Sequence, residues 1–318
     1  MQLTKIQRQP ELALYIRDLF RPKVPVVTRE YRLLNRSICL NTKEIIVKIC
    51  RSYMAIATLL VLSIPLSVSA ESLNLYAAGS LKTALGEVVS SYEKIYKTKV
   101  ATKFGPSGLL VTAIEGGEIA DVFASANMAH PEKLASSGWG SPVVLFTRNE
   151  LCALAQSDSQ ATTDNFLNTL MDKNVRVGIS TPKADPSGDY ALDLFKKAET
   201  VKKGSFTTLS GKALQLTGGP DSEKAPEGRN PYGWVMGEKK ADVFLTYCTN
   251  ALLAQKEVQS LKIVKIPVDL SVGADYGIVV RNGASSEAWQ LAMYILSPEG
   301  QEILTRFGFK ASAIKREK

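Results

Sequence analysis

Three short turns of small residues are the groups in this chain best suited to chemistry, because each carries a serine and precedes a helical pattern. They are AAGSL with Ser80, GPSGLL with Ser107 and DPSGDY with Ser187. Such a turn exposes backbone N–H groups at a helix N-terminus, where unsatisfied donors and the helix dipole favour an anion, and a serine adds an O–H donor. Together the three turns predict a binding site for a small anion.

For any one turn there is a simpler interpretation, in which the serine only caps its helix. The donor types also limit the choice of ligand. A site of N–H and O–H donors without an acceptor favours a fully deprotonated tetrahedral oxyanion. Asp185 and Asp189 flank the third turn and keep this question open. Either carboxylate would accept from a protonated ligand or bind a metal centre, or would simply interact with the helix dipole.

Enzymatic interpretations have little support in the residues. The single histidine, His130, stands before a proline at a predicted helix start, and no G-x-S-x-G motif supplies a nucleophile for a catalytic triad. Glycine-rich nucleotide-binding motifs are missing from the sequence, and Cys152 and Cys248 lie too far apart for a structural zinc site. We therefore expect a protein that is not an enzyme and that needs no cofactor.

Positive charge is concentrated at the start of the chain. The formal net charge is +8, and residues 1–70 account for all but one unit of it, with 11 Lys/Arg against 4 Asp/Glu. The rest of the chain is nearly neutral and lacks a basic patch, which argues against nucleic-acid binding.

The segment MAIATLLVLSIPLSVSA, residues 54–70, predicts export. It is apolar and uncharged, follows Lys48 and Arg51, and ends in the small-residue pattern Val-Ser-Ala. This is typical of a signal peptide, which we place at residues 47–70 with cleavage after Ala70 and delivery to the periplasm. An uncleaved membrane anchor is the alternative. Residues 1–46 form an extension of doubtful origin, either a misplaced start codon or a cytoplasmic segment.

Two of the four cysteines, Cys152 and Cys248, fall in the part of the chain predicted to be exported. In an oxidising compartment two thiols of one protein often pair, so we predict a disulfide between them. Two buried free thiols in strands are the alternative.

Short apolar runs alternate with helical patterns after Ala70, which predicts an α/β fold of two lobes, each a mostly parallel sheet flanked by helices. We assign residues 71–150 and 271–318 to lobe 1 and residues 151–270 to lobe 2. The chain then crosses between lobes twice, which makes a hinge. The serine turns lie at the carboxyl ends of strands, so they should line the crevice between the lobes.

These residues resemble a known family. The signal peptide, LYAAGSL, FGPSGLL, GEIADVFASAN, TPKADPSGDYA and ADVFLTYCTNA are together similar to periplasmic molybdate-binding proteins of ABC transporters, over roughly residues 72–312. The resemblance implies a type II periplasmic-binding-protein fold that closes on one oxyanion in the interlobe crevice. It also implies a monomer that delivers molybdate or tungstate to a membrane permease, with the metal present only as the bound oxyanion.

The same resemblance implies a set of ligand-binding residues. Ser80 and Ser107 would each give a hydroxyl and a backbone N–H, and Ser187 stands where the family offers a backbone N–H. Tyr247 matches a family tyrosine whose hydroxyl reaches the oxyanion. The remaining donor, a backbone N–H at a helix start, falls on Asn230.

One segment departs from the family pattern. The Gly/Pro-rich residues 216–233 form a longer stretch than the family has, and they bring Arg229 close to the predicted site. Arg229 would contact or screen the anion, or it is a surface arginine. The departure leaves the ligand open between molybdate, tungstate and another small anion such as a sulfonate or a carboxylate. Sulfate is smaller than molybdate and should leave donors out of reach.

Overall fold

The computed structural model describes residues 72–311, which form a mixed β-sheet and the helices that pack on it. The predicted extension of residues 1–46 and the predicted signal peptide of residues 47–70 lie outside the described residues. Within residues 72–311, no helix combines the length and the apolar character that crossing a membrane requires.

Strands and helices alternate along most of the described chain, which confirms the predicted α/β class. The strands are β1 (Leu73–Ala78), β2 (Val100–Gly105), β3 (Val122–Ser125), β4 (Val144–Ala155), β5 (Val177–Ser180), β6 (Leu214–Thr217), β7 (Val243–Tyr247), β8 (Lys262–Lys265), β9 (Gly273–Val280) and β10 (Lys310–Ala311). The helices are α1 (Lys82–Tyr96), α2 (Ser107–Glu115), α3 (Ala129–Ser136), α4 (Phe166–Met171), α5 (Pro186–Val201), α6 (Ser205–Lys212), α7 (Pro231–Gly237), α8 (Cys248–Glu257), α9 (Ser286–Leu296) and α10 (Pro298–Arg306). A single 3-10 turn, Gly79–Leu81, joins β1 to α1.

The main path of the sheet has the strand order β2-β1-β3-β9-β4-β7-β5-β6, with β8 and β10 also paired to β4. The long strand β4 divides its partners, because residues 144–150 pair with β9 and residues 151–155 pair with β7. We call β1, β2, β3, β9 and their helices the first half, and β5 to β8 and their helices the second half.

The expectation of mostly parallel strands needs a correction. Parallel pairing holds at both ends of the sheet, where β1 pairs with β2 and β3, and β5 pairs with β6 and β7. The central pairs β3–β9, β9–β4 and β4–β7 are antiparallel. Strand β4 carries the chain from the first half to the second and β9 carries it back. Each of them is antiparallel to the strands beside it on the main path of the sheet.

The apolar spacing in α1 produces one buried face. Leu85, Val88 and Tyr92 are completely buried, and the Tyr92 hydroxyl donates to the carbonyl of Glu287 in α9 at 3.1 Å. Ile95 continues the spacing but is 58% exposed, because it stands in the last turn of α1 and the chain leaves the helix soon after it. The buried face fixes the start of α1, and with it the turn that carries Ser80.

The strand order brings the serine turns to matching edges of the sheet. The parallel strands β1, β2 and β3 end at one edge, where Ser80, Ser107 and Ala126 follow them. In the second half the parallel strands β5 and β7 also end at a common edge, close to Ser187 and at Tyr247. Carboxyl ends of parallel strands are where α/β proteins build binding sites.

Cys152 in β4 and Cys248 at the first position of α8 are joined by a disulfide, with 4.8 Å between their Cα atoms. Strand β4 pairs with β7 alongside it, and Leu151 stands opposite Tyr247. The covalent link therefore holds the junction of β7 and α8 against β4, next to Tyr247.

The Gly/Pro-rich segment of residues 216–233 is partly regular. Strand β6 ends at Thr217 and α7 begins at Pro231, which leaves residues 218–230 as the connection. Gly218, the first residue of this connection, packs against the turn before α5. A Cβ placed on it would lie 2.6 Å from Oδ2 of Asp185. Gly218 also has a φ of +77°, so glycine is required there on two counts.

Candidate functional site

Ser80 lies in the 3-10 turn after β1 and starts a chain of polar contacts. Its Oγ is 3.0 Å from the hydroxyl of Tyr276, a fully buried residue of β9. The amide of Asn149 donates to that hydroxyl at 3.3 Å and to Thr249 Oγ1 at 2.9 Å. Within the described residues, the Ser80 side chain caps neither the 3-10 turn nor α1. The contacts run from the first half, through β4, to the second half.

Ser80 also borders an open cavity of about 270 Å³. Thr249 and Lys256 of α8 form part of its wall, and so does Phe309, whose ring lies 5.6 Å from that of Tyr276. The cavity therefore lies between elements of both halves, beside the predicted anion site.

Ser107 and Tyr247 both form hydrogen bonds with the backbone of Ala126, a residue of the first half. Ser107 is the first residue of α2 and is buried, and its Oγ accepts from the N–H of Ala126 at 3.1 Å. The Tyr247 hydroxyl donates to the carbonyl of the same Ala126 at 3.4 Å. Since a hydroxyl can donate as well as accept, Ser107 keeps an O–H to offer a ligand.

Ser187 lies at the second position of α5 and is fully buried. Its backbone N–H donates to Oδ1 of Asp185 at 3.0 Å, whereas its Oγ has no hydrogen-bond partner among the described residues. The rings of Tyr190, one turn further along α5, and Tyr247 are 6.2 Å apart. The resemblance led us to expect the backbone N–H as the ligand donor, but in this structure the hydroxyl is the group without a partner.

The two halves touch at the turns that carry Ser107 and Ser187. The N–H of Gly108 donates to the carbonyl of Ala184 at 2.9 Å. A Cβ on Gly108 would lie 2.1 Å from the carbonyl oxygen of Lys183, so only glycine fits at this contact. The starts of α2 and α5 are therefore brought together across the crevice.

Asn230 needs a correction. Its side chain caps α7 by accepting from the N–H groups of Tyr232 and Gly233, and its own N–H donates to Glu257 Oε2 at 2.6 Å. Arg229 pairs with the same Glu257, with 2.5 Å between Nε and Oε1. Because the carboxylate of α8 already accepts from both residues, neither presents these groups to the serine turns.

Burial controls the charge states of the site. It raises the pKa of Tyr247 and Tyr276 far above the ordinary value, so both phenols remain neutral donors. It also raises the pKa of Asp185 to about 6, against the opposing effect of the hydrogen bond from Ser187. Burial and then the charge of Asp185 raise the pKa of Tyr232.

His130 of α3 has a lowered pKa because of burial, although the charge of Asp189 in α5 opposes this shift. Its Nε2 is buried and makes no hydrogen bond within the described part of the chain. Among the described residues no group of three or more His, Cys, Asp or Glu could hold a metal ion. The sequence-predicted site is thus built from neutral hydroxyls and amides, with Asp185 as its neighbouring acid.

Tyr276 and Asn149 were missed by sequence reasoning, although they connect Ser80 to the second half. Both lie inside strands whose apolar neighbours predict only burial. The feature that could have identified them is a polar side chain within an apolar strand, because a buried phenol or amide needs hydrogen-bond partners.

Comparison with known proteins places this geometry in a family. The profile described as "Bacterial extracellular solute-binding protein" matches residues 73–310. The chain belongs to this family. An uncharacterized protein of Pasteurella multocida is 36% identical over 239 residues, which are 74% of this chain and 98% of the relative. The molybdate-binding protein ModA of Rhodobacter capsulatus is 23% identical, over 80% of this chain and 94% of its own length.

Solved structures of similar fold support the architecture. The phospholactate-bound form of PEB3, a Campylobacter jejuni protein, aligns with a TM-score of 0.58 and 18% identity over 75% of this chain and 99% of its own. At this identity the likeness shows the fold alone. The chain has the two-lobe type II periplasmic-binding-protein fold, as predicted.

Proposed function

We propose that this solute-binding protein captures one small tetrahedral oxyanion between its lobes and delivers it to the permease of an ABC importer. One observation carries the proposal: the hydroxyls of Ser80, Ser107 and Tyr247 are connected through Tyr276 and Ala126. Ser187 adds a buried hydroxyl without a partner in the described residues. Neutral donors that gather at helix starts stabilise an anion without a counter-charge.

Molybdate and tungstate are one pair of candidates. Both are tetrahedral dianions without a proton at neutral pH, and a set of hydroxyl and N–H donors fits such an ion. The sequence motifs resemble molybdate-binding proteins, and the Rhodobacter relative is named as one. We leave Asn230 and Arg229 out of the proposed ligand set because Glu257 accepts from both.

A small phosphate-bearing organic acid is the second candidate. Asp185 provides an acceptor that a fully deprotonated ion does not use. The cavity beside Ser80 has room for an organic group beyond a tetrahedral head, and PEB3 was solved with phospholactate bound.

The remaining assignments rest on the sequence. We propose that the protein is exported by cleavage after Ala70, works in the periplasm as a monomer, and has neither a resident cofactor nor catalytic activity.

Calorimetry on protein exported from the full-length gene tests the proposal. We expect micromolar or tighter binding of at least one among molybdate, tungstate, sulfate, phosphate and phospholactate. Ser187→Ala should weaken it, whereas Ser205→Ala should not, although Ser205 is also fully buried at a helix start with an unpartnered Oγ among the described residues. Absence of heat with all five anions would contradict the proposed function.

A further inference from the structure

An aspartate side chain occupies the N-terminus of α5, where an anion is expected. Asp185 precedes this 16-residue helix, and its Oδ1 accepts from the N–H of Ser187 at 3.0 Å. That N–H is the donor that the family resemblance assigns to the oxyanion. A bound oxyanion and an ionised Asp185 would therefore compete for one donor and place two negative charges side by side.

A second donor lies at the same helix end with nothing to bind. The Ser187 side chain is fully buried, and its Oγ lacks a hydrogen-bond partner among the described residues. Leaving a buried hydroxyl unpaired costs free energy. Unlike Ser205, this hydroxyl lies on the turn where Gly108 and Ala184 bring the two halves into contact, so we take it as a ligand donor. The start of α5 therefore combines an unused donor with a carboxylate that repels anions when ionised.

The surroundings of Asp185 keep its carboxylate in place. Gly218 lies so close that a Cβ there would be 2.6 Å from Oδ2, which leaves no room for the side chain to turn toward the loop. The titratable groups whose charges interact with it are Asp189 of the same helix, Tyr232 of α7 and Tyr247 of β7, with His130 of α3 acting on Asp189. Both tyrosines remain neutral, so none of these neighbours on α7 or β7 supplies a positive charge to compensate an ionised Asp185.

We propose that Asp185 and the bound oxyanion share one proton, so that Asp185 selects anions that bring a proton over anions that do not. This rests on the proposed function and names its ligand class. Hydrogen phosphate keeps one proton near neutral pH, whereas a phosphate monoester, whose second pKa is about 6, keeps one only in mildly acidic solution. Molybdate, tungstate and sulfate have none, so for them Asp185 itself must take up a proton from solvent on binding.

Burial raises the pKa of Asp185 to about 6, so this uptake is accessible in mildly acidic solution. The neutral acid then donates its O–H, while its other oxygen still accepts from Ser187. The alternative, in which Asp185 is only a helix cap, predicts an effect on stability and none on the choice of anion.

Calorimetry with phosphate and with molybdate, from pH 5 to pH 8 in buffers of different ionisation enthalpy, tests the proposal on the exported protein. We expect wild type to prefer phosphate by about tenfold or more at pH 8. Its molybdate affinity should rise by about tenfold for each unit of pH decrease above pH ~6, with uptake of close to one proton.

Asp185→Asn mimics the protonated acid, since asparagine is an equally good cap and adds an N–H donor. We expect this variant to bind molybdate with a pH-independent affinity and to lose the preference for phosphate. Asp189→Asn removes a charge from the same helix and is the matched control, which should keep the wild-type preference. A pH dependence that persists in Asp185→Asn would assign it to His130 or another group and overturn the proposal.

The two proposals fail differently. If wild type binds an anion but Asp185→Asn has the same affinities and pH profile, the role of Asp185 is overturned and the oxyanion receptor stands. If none of the five anions, molybdate, tungstate, sulfate, phosphate and phospholactate, binds either protein, the proposed function fails and this inference fails with it. Asp185→Ser, another good cap, repeats the comparison should the asparagine variant misfold.

Discussion

The tripeptide Pro-Ser-Gly occurs at the start of α2 and again at the start of α5, in opposite halves of the molecule, and its surroundings differ. In the first half Ser107 accepts from the Ala126 N–H, and the residue before the proline is Gly105. In the second half Ser187 Oγ is unpartnered among the described residues, and the residue before the proline is Asp185. The same tripeptide thus forms a hydrogen-bonded structural turn in one half. In the other half it begins a helix beside an acidic residue, with a serine hydroxyl that has no partner among the described residues.

The glycines of the two turns differ in the opposite sense. Gly108 contacts carbonyls of the opposite half, whereas Gly188 contacts its own half, where a Cβ would lie 2.3 Å from the Ser180 carbonyl oxygen. Gly108 is therefore expected to affect the contact between the halves, and with it anion binding. Gly188 is expected to affect the stability of the second half alone. Substitution of each glycine should affect mainly one of these properties.

The largest effects should come from these glycines. Gly108→Ala keeps α2 away from Lys183, so we expect anion affinity to fall by about 100-fold, or about 2.8 kcal/mol, with little change in unfolding. Gly188→Ala should instead lower the free energy of unfolding by about 1–3 kcal/mol through overpacking. Calorimetry and urea unfolding measure the two, and Gly211→Ala, with open space around it, is the control. Similar behaviour of Gly108→Ala and Gly188→Ala would refute the distinction.

The serines should differ in stability. Ser107→Ala leaves the buried Ala126 N–H without its acceptor, so we expect a loss of about 1–3 kcal/mol in unfolding free energy. Ser187→Ala removes a hydroxyl that has no partner in the described residues, so unfolding should change little while anion affinity falls about tenfold. Urea denaturation followed by tryptophan fluorescence, beside calorimetry, compares them. Equal stability losses would mean that Ser187 has a structural partner.

Gly105→Asp makes the first turn resemble the second. The position tolerates a Cβ, since its nearest neighbour would be Leu110 Cδ2 at 3.7 Å. An added carboxylate before Pro106 should weaken molybdate binding about tenfold at pH 8. Gly105→Asn, which adds the same volume without charge, is the control. A loss shared by both variants would indicate a steric effect rather than repulsion.

A further effect is the pH dependence of stability without ligand. Asp185 has a pKa raised from 3.8 to about 6 in the folded protein, so the folded state binds more protons than the unfolded state between these values. The associated stability is complete below pH ~4 and is lost as pH rises through ~6. Relative to Asp185→Asn, wild type should lose about 2–3 kcal/mol from pH 4 to pH 7 in urea unfolding. A constant difference would mean that Asp185 titrates normally.

The sequence predicted the α/β fold because strand, turn and helix signals are local, and it identified the serine turns for the same reason. The Cys152–Cys248 disulfide of the structure also matches an expectation drawn from compartment and cysteine count. The hydrogen-bond partner of a particular N–H or hydroxyl could not be predicted from the sequence, because that partner lies far away along the chain. Asn230 donates to Glu257, 27 residues away, and the Ser80 hydroxyl meets Tyr276, 196 residues away.

The role of Asp185 shows a different limit. Its position before Pro186 identifies it as a helix-start carboxylate, which is all that a local pattern can show. The raised pKa depends on burial, and the crowding against Gly218 depends on how the chain after β6 folds back. A sequence therefore locates the acid but does not reveal its proton affinity.

Strand β4 has a consequence for how the protein can be divided. Residues 144–150 complete the sheet of the first half and residues 151–155 that of the second, without a break between them. Cutting the chain after residue 150 would separate the two parts of β4, and each fragment would expose unpaired strand edges that favour aggregation. Neither half is therefore a sensible unit for separate expression, labelling or domain exchange, and any split or fusion point is better placed in the mostly exposed residues 220–228.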